Sequence, residues 1–345
     1  PMPFIDTLLG WDILPDFIIR RGIRKLLQQR LKDERAADPA ERLKRISQFA
    51  EELKKLPVAI ETKAANEQHY EVPAAFYQLC LGPRLKYSSC FYTQGDESIK
   101  VAEETMLALT CTRAELKDGQ KILELGCGWG SLTLWMAEKY PQAQITSVSN
   151  SASQREYILG QCKQRGFNNV TVITCDMNHF SISPESFDRV VSVEMFEHMK
   201  NWQELFRRIS TWLKPEGKLF FHVFTHRDCA YHFESKDGTD WMSRHFFTGG
   251  IMPSNNLPTH FQDNLKLETQ WEVCGRHYGQ TAEHWLQNTD QHREKVLSIF
   301  AETYGPKKAR QWLAYWRIFF MACAELWNFE KGEQWMVCHY LMSKK

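Results

Sequence analysis

No apolar run in this chain approaches the roughly 18 residues that a membrane-spanning helix needs. No basic stretch precedes the first apolar residues, so a secretory signal is not expected. Neither sign of charge is in excess. The 43 Lys and Arg stand against 42 Asp and Glu, which leaves no bulk case for nucleic acid as a partner. The ten cysteines include no C-x-x-C pair and no metal-ligand spacing. That pattern predicts free thiols in a reducing compartment, the cytoplasm, and no metal site. What remains is ordinary for a globular protein, with 43% hydrophobic and 25% charged residues. At 345 residues the chain exceeds a single core, so one α/β domain with an accessory region is the prior.

The most informative stretch is Lys121–Leu132, KILELGCGWGSL. An apolar run of Ile122, Leu123 and Leu125 is interrupted by Gly126, Gly128 and Gly130, and helical spacing resumes at Leu132. This reads as strand, tight turn and helix start. Glycines let such a turn take positive φ and bring backbone N–H groups close to a ligand at the helix N-terminus. A dinucleotide fingerprint would need G-x-G-x-x-G and an acid about 20 residues on. Ser131 stands where the third glycine should be, and no acid occurs between Glu138 and Glu156. With Glu124 at the strand end, the E-x-G-x-G-x-G form instead resembles the loop that binds S-adenosylmethionine in methyltransferases.

Around this stretch the chain divides into a helical region, 1–85, and an α/β domain, 86–345. Trp11–Lys32 is a basic amphipathic segment whose apolar side can pack on the main domain or lie on an anionic membrane surface; packing is preferred. Ala40–Leu56 is a second such helix. Residues 61–100 are irregular and rich in aromatics, among them His69, Tyr70 and Tyr87. From residue 121 strands and helices alternate, predicting a doubly wound sheet. Strands are expected at 144–149, 170–175, 187–193, 218–224, 266–274 and 334–342. A cap is inserted at about 225–262, and a helical cap follows at about 281–328.

Ligands in open α/β sheets bind beyond the carboxyl ends of the strands. Asp176 follows the third strand, where it can accept from an adenine amino group, with Met177 packing on the ring. The second strand ends without an acid, so Ser149 and Gln154 are the candidates for ribose hydroxyls. Glu194, Glu197 and His198 follow the fourth strand and would share one face if the segment turns helically. Such a set suits an amine. Alkylamines are largely protonated near neutral pH, given the lysine reference of ~10.4. The nitrogen must be attracted as a cation and then lose its proton, which His198 can accept.

The segments ELGCGWGSLTL, SVEMFEHMKN, AYHFE at 230–234, Asp240-Trp241, FFTGGIMPS at 246–254 and YWRIFF at 315–320 resemble the plant coclaurine N-methyltransferase family. That family is related to cyclopropane-fatty-acid synthases. The resemblance implies a Rossmann-like class I methyltransferase sheet and S-adenosyl-L-methionine as cofactor, with S-adenosyl-L-homocysteine as product. It also implies N-methylation of a small hydrophobic or aromatic amine; between a monomer and a homodimer the sequence does not choose. By this likeness Glu197 and His198 handle the substrate amine, with Glu194 as a further acid nearby. Tyr87, Tyr231, Trp241, Tyr315, Trp316 and Phe319 fall on the substrate pocket, where aromatic faces suit a cation. The alternative is a cyclopropane-synthase-like enzyme acting on unsaturated lipid chains. Those enzymes carry Y-S-C, whose cysteine helps hold a bicarbonate base, and a glycine at the position of Glu194. Here the stretch is Tyr87-Ser88-Ser89, with Cys90 one position late.

Overall fold

Short aliphatic runs bounded by turns form strands largely buried on both faces, apart from the edge strand Val170–Thr174. They are β1 (Lys121–Leu125), β2 (Gln144–Ser149), β3 (Val170–Thr174) and β4 (Phe187–Val193). Then come the long β5 (Leu213–His226), the two-residue β6 (Tyr231–His232) and β7 (Ile251–Met252), β8 (Leu265–Val273) and β9 (Trp335–Lys344). The computed structural model describes residues 2–60, 72–234 and 241–345. His69, Tyr70 and Asp240, singled out in the sequence, lie outside the described residues.

Seven strands make one sheet in the order β3-β2-β1-β4-β5-β9-β8, and β6 pairs separately with β7. Strand β9 runs antiparallel to both β5 and β8, while the β3-β2-β1-β4-β5 block is parallel. The alternation of side chains sets the two layers. Ile122, Val191, Phe220 and Leu341 face the helices Ile99–Arg113 and Ser131–Lys139. Leu123, Val190, Phe221 and Tyr340 face the helices Pro39–Leu53 and Trp202–Trp212. The strand expected at 218–224 starts earlier, at Leu213, and residues 214–217 lie inside β5 as an irregularity, where the pairing jumps from Phe187↔Leu213 to Arg189↔Lys218. Extra residues on one strand are taken up as a bulge without ending the pairing.

The helical cap is Gly275–Gln291, Arg293–Tyr304 and Ala309–Asn328. Its core is aromatic, with Trp285, Phe300, Trp316 and Phe320 packed beside Phe76, Tyr77 and Phe246. The helix Asp16–Glu34 lays Ile19, Ile23, Leu27 and Leu31 against that core. Ion pairs pin it: Arg20 to Glu283 and Glu325, Asp16 to Arg317, and Arg35 just beyond its end to Asp228. Among the described residues no helix is long and apolar enough to cross a membrane.

Candidate active site

The carboxyl ends of β1 to β4 open onto a cavity of about 840 Å³, within the range of small-molecule sites. Its floor is the glycine loop, and each glycine there answers a different demand. All three have positive φ, +76° at Gly126, +53° at Gly128 and +83° at Gly130. A Cβ at Gly126 would strike Met195, and one at Gly130 would strike Ile158 of the helix Ala152–Arg165. At Gly128 it would point into open space, so this glycine leaves room at the cavity wall.

Glu124 lines the same wall, buried, with hydroxyls from Thr133 and Ser147 on its Oε1. Burial pushes its carboxyl up to about 8 against those two hydrogen bonds. Ser149 and Gln154 also line the cavity; the Ser149 hydroxyl donates to Gln154 Oε1 at 2.7 Å. Among the described residues the buried Gln154 Nε2 has no hydrogen-bond partner, and neither has Ser131 Oγ, which lines the same cavity. Buried donors of this kind are rare unless a ligand satisfies them. Cys175 and Met177 form the rim after β3. Asp176 between them does not line the cavity; its Oδ1 accepts from the Asn178 backbone at 2.7 Å.

Beyond β4 the expected helical face does not form. Glu194 has φ +50°, and only Phe196–His198 makes a short 3₁₀ turn. The left-handed residue turns the first carboxylate away from the other two side chains' register. Glu194 lines the cavity with 9% of its side chain exposed, whereas Glu197 is fully buried and outside the lining. Three polar groups hold Glu194: the Ser89 amide donates at 2.8 Å to Oε2, His222 Nε2 lies 2.9 Å from the same oxygen, and the Tyr278 hydroxyl donates at 2.5 Å to Oε1. Burial raises its pKa, opposed by the nearby Lys86 ammonium and by the Tyr278 and Ser89 hydrogen bonds. Glu197 is raised well above the usual range by burial and then by the charge of Glu194. Its Oε2 accepts from the Phe224 amide at 3.1 Å, and its Oε1 has no hydrogen-bond partner among the described residues. Of the pair, Glu197 is raised the further, and Glu194, with more donors and Lys86 beside it, is the better held as an anion. His198 lines the cavity with its ring stacked on Phe247 at 5.4 Å.

The walls are apolar and aromatic. Tyr87, Tyr231, Trp241 and Phe319 lie on them, but Tyr315 and Trp316 do not. Tyr315 packs against Trp241 and Trp312, and Trp316 is wholly buried among Phe76, Phe246 and Phe320. The face of the helix Ala309–Asn328 that meets the cavity is Ile318, Phe319, Ala322, Cys323, Leu326 and Trp327. Sequence reasoning did not reach Lys86, His222, Tyr278 or the cavity-lining Ile19, Ile23 and Leu27. His222 had a signal, being a polar residue within the apolar Leu219–Phe224. Tyr278 had none, since it reaches Glu194 across 84 residues of chain.

A family profile described as mycolic acid cyclopropane synthetase matches residues 59–336. The chain is 35% identical over 341 residues to the (S)-coclaurine N-methyltransferase of Thalictrum flavum subsp. glaucum, covering 98% of this chain and 94% of that protein. It is 37% identical over 336 residues to the Papaver somniferum protein of the same name, covering 96% and 95%. The crystal structure of a coclaurine N-methyltransferase bound to N-methylheliamine and S-adenosylhomocysteine matches with a TM-score of 0.95, at 33% identity and 99% coverage of both chains.

Proposed function

The chain belongs to the mycolic acid cyclopropane synthetase family and stands with its coclaurine N-methyltransferase relatives, and from that premise we propose that it methylates the nitrogen of a small hydrophobic or aromatic amine. One observation carries the reading. Glu194 and His198 open into the same apolar-walled cavity that the glycine loop lines.

S-Adenosylmethionine is the cofactor, and the residues present fit it. The space at Gly128 admits close approach to the backbone, and the unpartnered Gln154 amide and Ser131 hydroxyl are donors for its polar groups. We assign the ribose side to Ser149 and Gln154, with Glu124 beneath the loop. The adenine goes to the Cys175–Met177 rim, where Asp176 offers its second carboxylate oxygen. When bound, the cofactor supplies an electrophilic methyl group.

The chain's own residues do the rest. Glu194, with the Ser89 amide and the Tyr278 hydroxyl donating to it, draws the substrate ammonium to the cavity wall as the anion. His198 takes its proton and frees the lone pair, because an ammonium nitrogen cannot attack. Tyr87, Tyr231, Trp241 and Phe319 exclude water and set the amine's approach, and such positioning supplies most of the acceleration in an in-line transfer. Ten unpaired cysteines suit a reducing cytoplasm.

The lipid alternative is disfavoured by one contact. Ser89 and Glu194, the two departures from the cyclopropane-synthase pattern, are hydrogen-bonded to each other at 2.8 Å. The contact uses the Ser89 main-chain amide, so it is the glutamate alone that puts the chain's own carboxylate at this wall. Transfer of radiolabelled methyl to panels of amines and of unsaturated phospholipids tests the proposal. Labelled amine is the expected product; label in phospholipid alone overturns it.

A further inference from the structure

The mechanism leaves unused a buried chain of hydrogen bonds that runs into the back of Glu194. His222 and His339 stand directly opposite each other across the β5–β9 pair, and both are fully buried. His339 Nε2 lies 3.1 Å from His222 Nδ1, and His222 Nε2 lies 2.9 Å from Glu194 Oε2. At the far end Arg113, the last residue of the helix Ile99–Arg113, places its guanidinium 2.8 Å from His339 Nδ1 and 5.0 Å over the Trp271 ring.

We propose that Arg113 and His339 are positioning residues for the methyl transfer: acting through His222, they fix the direction of every hydrogen bond in this chain and so present Glu194 with a donor. The inference rests on the N-methyltransferase reading for its consequence, though not for its geometry. A guanidinium can only donate. His339 Nδ1 must therefore be a lone pair, and a neutral His339 carries its proton on Nε2. That proton faces His222 Nδ1, which must in turn accept. The proton of His222 is left on Nε2, aimed at Glu194. Burial lowers the pKa of both histidines well below the usual range, so each carries a single ring proton. Reversing the chain would require Arg113 to accept, which it cannot do. With the polarity locked, Glu194 receives a third donor beside Ser89 and Tyr278. In the reversed polarity a lone pair would face Oε2 and force a proton onto the carboxylate, cancelling its pull on an ammonium.

Other charged or titratable groups act on Glu194: Lys86 and Tyr278 as its supports, and Glu197 and His198 from its own loop. Arg113 and His339 are not among the cavity-lining residues, and their hydrogen-bonded route to Glu194 runs through His222.

Ring-nitrogen NMR on histidine-labelled protein reads the tautomers directly and needs no substrate. Protons on Nε2 of both His222 and His339 are expected; a proton on Nδ1 of His222 overturns the proposal. Two variants then test the consequence in enzyme saturated with cofactor. His339→Gln keeps the polarity, because its amide oxygen accepts from Arg113 and its amide N–H donates to His222. His339→Glu reverses it, since a carboxylate paired with Arg113 accepts on both sides. His339→Glu should lower kcat/KM for the amine at neutral pH by at least about tenfold and move the acid limb of the profile up by about one unit or more. His339→Gln should keep the wild-type limb, and both should bind S-adenosylhomocysteine normally. Coincident profiles for the two variants overturn the proposal, and where a variant fails to fold the wild-type tautomers decide it. If no amine is methylated, the functional reading falls while the tautomer result still stands.

Discussion

Glu194 and Glu197 lie three residues apart with opposite environments, and that difference assigns their work. Glu194 has three polar partners and an outlet to the cavity; Glu197 has one amide and no outlet. Glutamine mimics a protonated carboxyl and removes a charged one. Glu197→Gln should therefore leave the substrate constant nearly unchanged. Glu194→Gln should raise it about 10- to 150-fold, the worth of a hydrogen bond to a charged group at about 1.5–3 kcal/mol. Initial rates against amine concentration distinguish the two, and equal effects would remove the division of labour. His198 is assigned the proton. His198→Ala should cut turnover by about 10²–10⁴, the usual range for a positioned base. The loss should be largest at low pH and shrink as rising pH delivers free amine from solvent. A defect that stays constant to high pH would mean that proton removal is not its task.

At the scale of elements, the helix Asp16–Glu34 has no buried residue of its own, yet it forms one side of the cavity through Ile19, Ile23 and Leu27. Its grip depends on partly exposed ion pairs, which are individually worth roughly 1 kcal/mol or less. Arg20→Leu removes the bonds to Glu283 and Glu325. It should raise the KM for the amine about fivefold, in keeping with that energy, and barely move kcat or the melting temperature. An unchanged KM would show that the helix is not held over the substrate by these pairs. The parallel strands and the glycine loop were legible in the sequence because their signals are local: a short aliphatic run, a turn, a resumed helical period. The cap helix was less so. Ala309–Asn328 carries Trp312, Tyr315, Trp316, Phe319, Phe320 and Trp327, aromatic on nearly every side, so its composition gives no phase, and the cavity face fell on Phe319 and Trp327 rather than Tyr315 and Trp316. The Arg113–His339–His222 chain was not legible at all. Its members are more than 100 residues apart, and only the β5–β9 register brings the two histidines together.

Across the whole molecule, the polar groups buried to build this site set how stability responds to pH. Burial pushes Glu124 up to about 8 and Glu103 up to about 7, and holds Glu197 well above its usual range. An unfolded glutamate releases its proton near 4.3. Above that pH the folded chain holds more protons than the unfolded one, so these groups contribute stability that is present at low pH and lost as pH rises through their folded values. The histidines act in the opposite sense. His222 and His339 are lowered well below 6.5 by burial, and His226 is lowered to about 4. Below about 6.5 the unfolded chain takes up protons that the folded chain refuses, and stability falls as the pH falls. From pH 6.5 to about 7.5 the histidine slope fades as the unfolded imidazoles lose their protons, and Lys200, lowered to about 8, acts in the same sense at the top of the range; the buried carboxyls oppose both. Each adds at most about 1.4 kcal/mol per pH unit within its window. Glu124 should therefore take stability away as the pH rises from 6.5 to 8. Glu124→Gln, which fixes the neutral form between Thr133 and Ser147, should flatten that decline. Calorimetric melts of both proteins across this range test it. A difference between the two melting temperatures that stays constant from pH 6.5 to 8 would mean that Glu124 folds as the anion, and that the hydroxyls of Thr133 and Ser147 outweigh its burial.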